Sequence, residues 1–153
     1  MPVRAPLGAA VSTITVLEYA MLASEMMAAH PAAPREPDAA LARFIEEAFT
    51  CAQACIACAD ACLAEMRMPQ LVQCIRLNAD CADTCETLGR LASRRTGLNK
   101  DVLRGAIELC AMACDRCAEE CERHAASHRH CAICAEACRR CARQCRVTLR
   151  SFD

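Results

Sequence analysis

Four stretches of this chain repeat small or apolar residues at steps of three and four, with polar or proline-containing segments between them. Residues recurring at i, i+3, i+4 and i+7 share one face of a helix, so the pattern predicts four long amphipathic helices. The first runs from about Asp38 to Arg67, with Asp38 as N-cap and Pro69 as the stop. The second covers about Gln70 to Thr96, and Gly97 suits its C-terminal cap. Asn99 or Asp101 can open the third, which continues to about Ala125; Ser127 can cap the fourth, which ends near Arg150. A shorter helix is predicted before them, over about Thr13 to Ala29, with Ile14, Leu17, Met21 and Ala28 along one stripe. The Pro-rich stretch from His30 to Pro37 separates it from the rest.

Short connections force consecutive helices to run antiparallel. The expected fold is therefore all-α, an antiparallel up-down-up-down four-helix bundle with an additional N-terminal helix. Residues 1–37 form an N-terminal extension and residues 38–153 the bundle. A chain of 153 residues suits one compact core. With 18 basic and 19 acidic residues it carries no footprint for nucleic acid, and no segment is long and apolar enough to span a membrane.

Composition changes the picture at one point. Trp is absent and aromatics make up 3% of the chain, while Cys reaches 16. Each cysteine lies on one of the predicted helix faces. Cys51, Cys55, Cys58 and Cys62 follow steps of four, three and four; Cys74, Asn78, Cys81 and Cys85 repeat them with one amide in place of a thiol. Cys110, Cys114, Cys117 and Cys121 form the third stripe, and Cys131, Cys134, Cys138, Cys141 and Cys145 the fourth. These are the seam positions a bundle turns inward.

Buried cysteine can serve as a small hydrophobe, but Leu, Ile and Val fill a core better, and sixteen thiols in register point to sulfur chemistry. A disulfide framework needs an oxidising compartment. The N-terminal residues are interrupted by Ser12, Thr13 and Thr15 and lack the pattern of an export leader, so a cytoplasmic location is expected. Thiolates select soft metals: monovalent copper, zinc or iron–sulfur clusters. Zinc favours closed groups of four ligands, and iron–sulfur clusters are wrapped by loops. A continuous file of thiols suits Cu(I), whose two- or three-coordinate ions can be bridged along the axis, on the order of one ion per thiol.

The shared end of the bundle adds other donors. His124 follows Cys121 on its face, His128 precedes Cys131, and Met66 and Met68 lie beyond Cys62, so copper is expected to enter past His124 and His128, with His130 beside them and the methionines as exchangeable ligands. The opposite end runs into Phe44, Ala48, Leu88, Leu103, Ile107, Val147 to Leu149 and Phe152, an apolar floor. The alternatives are a redox or electron-transfer protein using an iron–sulfur cluster or the C-x-x-C pairs, and a zinc–thiolate store. The C-x-x-C pairs all lie inside predicted helices, away from the helix N-termini that activate redox thiols. No nucleophile elbow, phosphate loop or nucleotide fingerprint marks an enzyme.

The motifs CAQACIACADACL, CIRLNADCADTC and CAMACDRCAEECERHAASHRHCAICAEACRRCARQC resemble the bacterial copper storage proteins, specifically their cytosolic branch. The likeness covers about Thr50 to Cys145 and includes the Asn of the second stripe and the ECERHA turn. It implies a four-helix bundle that fills with Cu(I), a homotetramer, and ligands that are the sixteen cysteines and a histidine at the mouth, His124 by position.

Overall fold

A computed structural model describes residues 22–32, 38–97 and 99–152; the expectations for Ile14, Leu17 and Met21 lie outside them. The described residues form five α-helices: α1 (Leu22–Ala28), α2 (Ala39–Leu63), α3 (Val72–Ser93), α4 (Lys100–His124) and α5 (Arg129–Leu149). Helices α2 to α5 pack as a ring in which α2 meets α3, α3 meets α4, α4 meets α5 and α5 closes on α2, while α1 lies against α2. The thiol contacts give the direction of each pair. Cys51 meets Cys81 and Cys62 meets Cys74 across α2 and α3, Cys85 meets Cys110 and Cys74 meets Cys121 across α3 and α4, and Cys55 meets Cys134 and Cys58 meets Cys131 across α2 and α5. Rising numbers on one helix pair with falling numbers on its neighbour, which is the expected antiparallel bundle.

The helix ends depart from the sequence reading in four places. Asp38 caps α2 as expected, its Oδ1 accepting from the Leu41 N–H at 3.0 Å. The helix nevertheless stops at Leu63, before the expected Arg67, because the Ala64 N–H turns back to the carbonyls of Ala61 and Cys62. Pro69 does not act as the stop but sits near the start of a short 3-10 helix, Met68–Leu71, where its missing N–H costs nothing. Helix α3 ends at Ser93 with Arg94 in extended conformation, so Gly97 caps no helix; its φ of 81° serves the bend into α4. Ser127 does not cap α5 either, since His128 occupies the N-cap position with φ −130° and ψ 104°. Asn99 does stand at the N-cap of α4, but without a side-chain hydrogen bond.

The floor is apolar. Leu41, Phe44, Ala48, Leu88, Ala92 and Ile107 are buried there, and Leu103, Leu149 and Phe152 pack against them. Val147, expected among them, is exposed. Thr148 takes the inward position and keeps its hydroxyl satisfied against the carbonyls of Ala40 at 3.1 Å and Gln144 at 2.9 Å.

Candidate metal centre

Between the floor and the opposite end of the bundle, the core consists almost wholly of sulfur and alanine. All sixteen cysteines are buried thiols, with none in a disulfide. The helical register alone explains this, because each cysteine occupies the seam of its helix and Ala52, Ala82, Ala118 and Ala142, buried beside them, let the helices approach.

The spacing of the sulfurs is that of ligands. Sγ atoms on neighbouring helices lie 3.5 Å apart for Cys55 and Cys138, 3.6 Å for Cys74 and Cys121, and 4.0 Å for Cys110 and Cys141. A covalent S–S bond is about 2.05 Å long. Two thiolates sharing one ion, with metal–sulfur bonds of about 2.3 Å, stand about 3.8–4.0 Å apart at tetrahedral or trigonal angles. Metal can therefore bridge neighbouring helices with little movement of the backbone. The thiols and one imidazole gather into overlapping groups whose ligand atoms lie within 4.8 Å of one another: Cys51 with Cys85, Cys114 and Cys141; Cys55 with Cys117, Cys134 and Cys138; Cys58 with Cys74 and Cys121; and Cys58 with Cys62, Cys131 and His130. Each thiol belongs to a continuous file, and several belong to two groups.

Neighbouring thiols differ in their hold on the proton. Hydrogen bonding from Cys121, then from Cys58, brings the Cys74 thiol down to about 3, so a thiolate is favoured there. Burial, followed by the negative charge of Cys74, pushes Cys62 up to about 11. Deeper in the file Cys51 and Cys81 are lowered, chiefly by hydrogen bonding with Cys114, and Cys114 is itself raised, chiefly by Cys110. A sulfur that keeps its proton thus stabilises one that has lost it.

The end away from the floor gathers the remaining donors. His130 reaches into the sulfur file, its Nδ1 lying 3.4 Å from Cys131 Sγ, 3.5 Å from Cys58 Sγ and 3.9 Å from Cys62 Sγ. Its Nε2 faces outward to Glu65 Oε1 at 3.2 Å, and the same oxygen pairs with His128 Nδ1 at 2.9 Å. His124 pairs through Nε2 with Glu120 Oε1 at 3.2 Å, and its ring stands 6.4 Å from that of His128. His124 and His128 thus pair with carboxylates at this end, and among the described histidines His130 is the one in contact with thiols. Met66 is fully exposed, and Met68 is half-buried.

Glu65 and Glu120 were not among the residues singled out from sequence. Both signals were present: Glu65 follows Cys62 by three and Glu120 precedes His124 by four, each a step of one helix face. His130 precedes Cys134 by four, which places it on the fourth stripe.

The sequence profile of the family described as "Copper storage protein" matches residues 38–150. The structure of the copper storage protein Ccsp from Streptomyces lividans, loaded with 10 copper equivalents, is 45% identical, covers 84% of this chain and 98% of its own, and superposes with a TM-score of 0.81. A further structure, of copper loading to a cytosolic copper storage protein from S. lividans with five coppers, is 50% identical over 72% of this chain and 92% of that one, with a TM-score of 0.72. The apo form of copper storage protein 3 from Bacillus subtilis is 36% identical over 68% and 93% of the two chains, at a TM-score of 0.60.

Proposed function

Because the chain belongs to the copper storage protein family, whose profile spans residues 38–150, we propose a residue-level account of how it takes up and holds its cargo. It sequesters many Cu(I) ions on thiolates that line the inside of a four-helix bundle. The sixteen cysteines are the ligands of the file, His130 completes the outermost group, and His124 and His128 with Glu120 and Glu65 form the approach. Met66 offers an exposed thioether at the same end. Residues 38–153 make the store, and residues 1–37 are an extension of it. The protein is a store rather than a catalyst, and the cytosolic relative supports a cytoplasmic location.

One observation carries this reading: buried thiols from four helices stand at metal-bridging distance along one continuous file. Titration of reduced, metal-free protein with Cu(I) under anaerobic conditions, against a competing chelator, is expected to saturate near one copper per cysteine, on the order of 16 ions. Saturation at one to four ions would instead describe a chaperone, sensor or cluster protein. The four-thiol groups also suit zinc, so the same titration with zinc separates the readings by number. At four thiols per ion zinc fills at about 4.

Assembly as a homotetramer is the second part of the proposal. Phe49, Ile56 and Leu63 lie at intervals of seven along the outer face of α2 and are exposed, as are Leu109 and Met112 on α4. Apolar side chains in such rows suit burial against another copy. Sedimentation of the apo protein is expected to give the mass of four chains, and Ile56→Glu is expected to shift it toward smaller species. A monomer at micromolar concentration would remove the tetramer.

A further inference from the structure

The outermost group differs in chemistry from the all-sulfur groups deeper in the file. Cys58, Cys62, Cys131 and His130 place three sulfurs and one imidazole nitrogen within 4.8 Å of one another. The three thiols are buried, while the His130 side chain is 23% exposed, so the group has the packed core behind it and an opening in front. Three sulfurs and one nitrogen are the donor set of a closed zinc site. The separations fit one as well. With Zn–S bonds of about 2.3 Å and Zn–N bonds of about 2.0–2.1 Å, tetrahedral angles put sulfur about 3.8 Å from sulfur and about 3.6 Å from nitrogen. Here Nδ1 of His130 lies 3.4 Å from Cys131 Sγ, 3.5 Å from Cys58 Sγ and 3.9 Å from Cys62 Sγ, and the sulfurs of Cys58 and Cys131 are 3.9 Å apart.

Glu65 supplies an independent sign. An ionised carboxylate only accepts hydrogen bonds, so its contact through Oε1 with His130 Nε2 at 3.2 Å puts the ring proton on Nε2 and leaves the lone pair of Nδ1 facing the thiols. Zinc-bound histidines almost always donate their other N–H to such a partner, which fixes tautomer and ring orientation. The same oxygen accepts from His128 Nδ1 at 2.9 Å, which steadies the carboxylate. Charge also separates this group from the four-thiol groups of the core. Three thiolates, a neutral imidazole and a divalent ion leave one net negative charge, whereas four thiolates leave two, and among the described residues no Lys or Arg is buried to balance them. The smaller charge, at a rim open to solvent, costs less to hold.

We propose that Cys58, Cys62, Cys131 and His130 hold one zinc ion when copper is scarce, with Glu65 as the positioning residue of the ring, and that incoming Cu(I) displaces it. The exchange transfers no electrons. Zinc–sulfur and zinc–nitrogen bonds break, copper–sulfur bonds form on the same three thiolates, and Zn(II) leaves past His124 and His128. Thiolates are soft ligands and favour the monovalent ion, which sets the direction. Zinc binding has already released the thiol protons, so copper meets thiolates at once. This inference rests on the storage reading given above.

The test is X-ray absorption at the zinc edge, on reduced, metal-free protein given one equivalent of Zn(II) under anaerobic conditions. Three sulfurs at about 2.3 Å and one imidazole nitrogen at about 2.0–2.1 Å are expected. Stepwise addition of Cu(I) is then expected to release the zinc to an indicator dye within the first few equivalents, well before the file is full. In His130→Ala the imidazole signal is expected to vanish from the spectrum. In Glu65→Gln the three-sulfur, one-nitrogen shell is expected to remain while the affinity for this first zinc falls by about 10–100-fold. A shell of four sulfurs in the unaltered protein, zinc retained until copper saturation, or a His130→Ala spectrum identical to that of the unaltered protein would overturn the proposal. An unchanged affinity in Glu65→Gln would overturn the part given to Glu65. Copper capacity judges storage separately: a protein that fills near sixteen coppers but surrounds zinc with four sulfurs keeps storage and loses this site. One that stops at a few coppers refutes storage, and the exchange with it.

Discussion

Phe44→Ala is expected to destabilise the metal-free bundle by about 3–5 kcal/mol, and the copper-loaded bundle by a similar amount from a higher starting stability, so that a smaller share of its stability is lost. Phe44 is fully buried and is the largest such side chain among the described residues, in a chain with only three phenylalanines and no tryptophan. Alanine there leaves a void beside Ala48, too small to fill it. Elsewhere the apo core has little to offset the loss, because cysteine and alanine bury much less apolar area than Leu or Phe. In the loaded protein, ions held by thiolates of different helices bind the folded state preferentially, and unfolding must release them. Urea unfolding of both forms, followed by circular dichroism under anaerobic reducing conditions, measures the difference. A loss below about 1 kcal/mol in the apo form would show that the floor repacks or contributes little.

The floor and the sulfur file were legible in the sequence for the same reason: a seven-residue stripe on each of four helices fixes which residues face inward, whatever the residues are. The alternating three- and four-residue cysteine steps placed every thiol in the core, and Phe44, Leu88 and Ile107 extended the stripes into the floor. Val147 and Thr148 bear that out at the end of α5, where Thr148, three residues after Cys145, keeps the stripe and Val147 leaves it. The β-branched threonine, with its hydroxyl satisfied by the Ala40 and Gln144 carbonyls, takes the inward position that hydropathy would give to valine.

The mouth was less legible because it lies where periodicity ends. Continuing α2 to Arg67 would carry Met66 onward as part of the stripe; with the helix closed at Leu63, Met66 turns outward and Glu65 turns to the histidines. On the other side, His124 ends α4, His128 is the N-cap of α5 and His130 is its second residue, so the three rings lie within seven residues. The four-residue step from His130 to Cys134 puts that ring on the fourth stripe, but the crossing of α5 over α2 determines which thiols of the other helix it meets. The contact between Cys58 and His130 joins residues 72 positions apart, and local pattern does not name that partner.

Replacing His130 by alanine is expected to slow copper uptake by about 10–100-fold while leaving capacity near that of the unaltered protein. On the proposed reading the ring is the point of transfer. Its Nδ1 lies within reach of three thiols, Cys58, Cys62 and Cys131, while Nε2 is held by Glu65, which orients the imidazole. An ion arriving past His124 and His128 would otherwise meet Cys62, whose thiol burial pushes up to about 11 and which is therefore a poor first ligand near neutral pH. A neutral nitrogen at this position accepts Cu(I) without first losing a proton from the thiol behind it, and the ion can then pass to the sulfur as that proton leaves. The joint substitution His124→Ala/His128→Ala is expected to slow uptake by a smaller factor, because those rings contact Glu120 and Glu65 rather than thiols. Stopped-flow mixing with a weakly complexed Cu(I) donor gives the rates, and exhaustive titration gives the capacities. If the rates are unchanged in both proteins, copper does not enter at this end. If the capacity falls by many ions with the rate intact, the histidines instead hold the store together, and the order of effects at the mouth is the reverse of the one argued from these contacts.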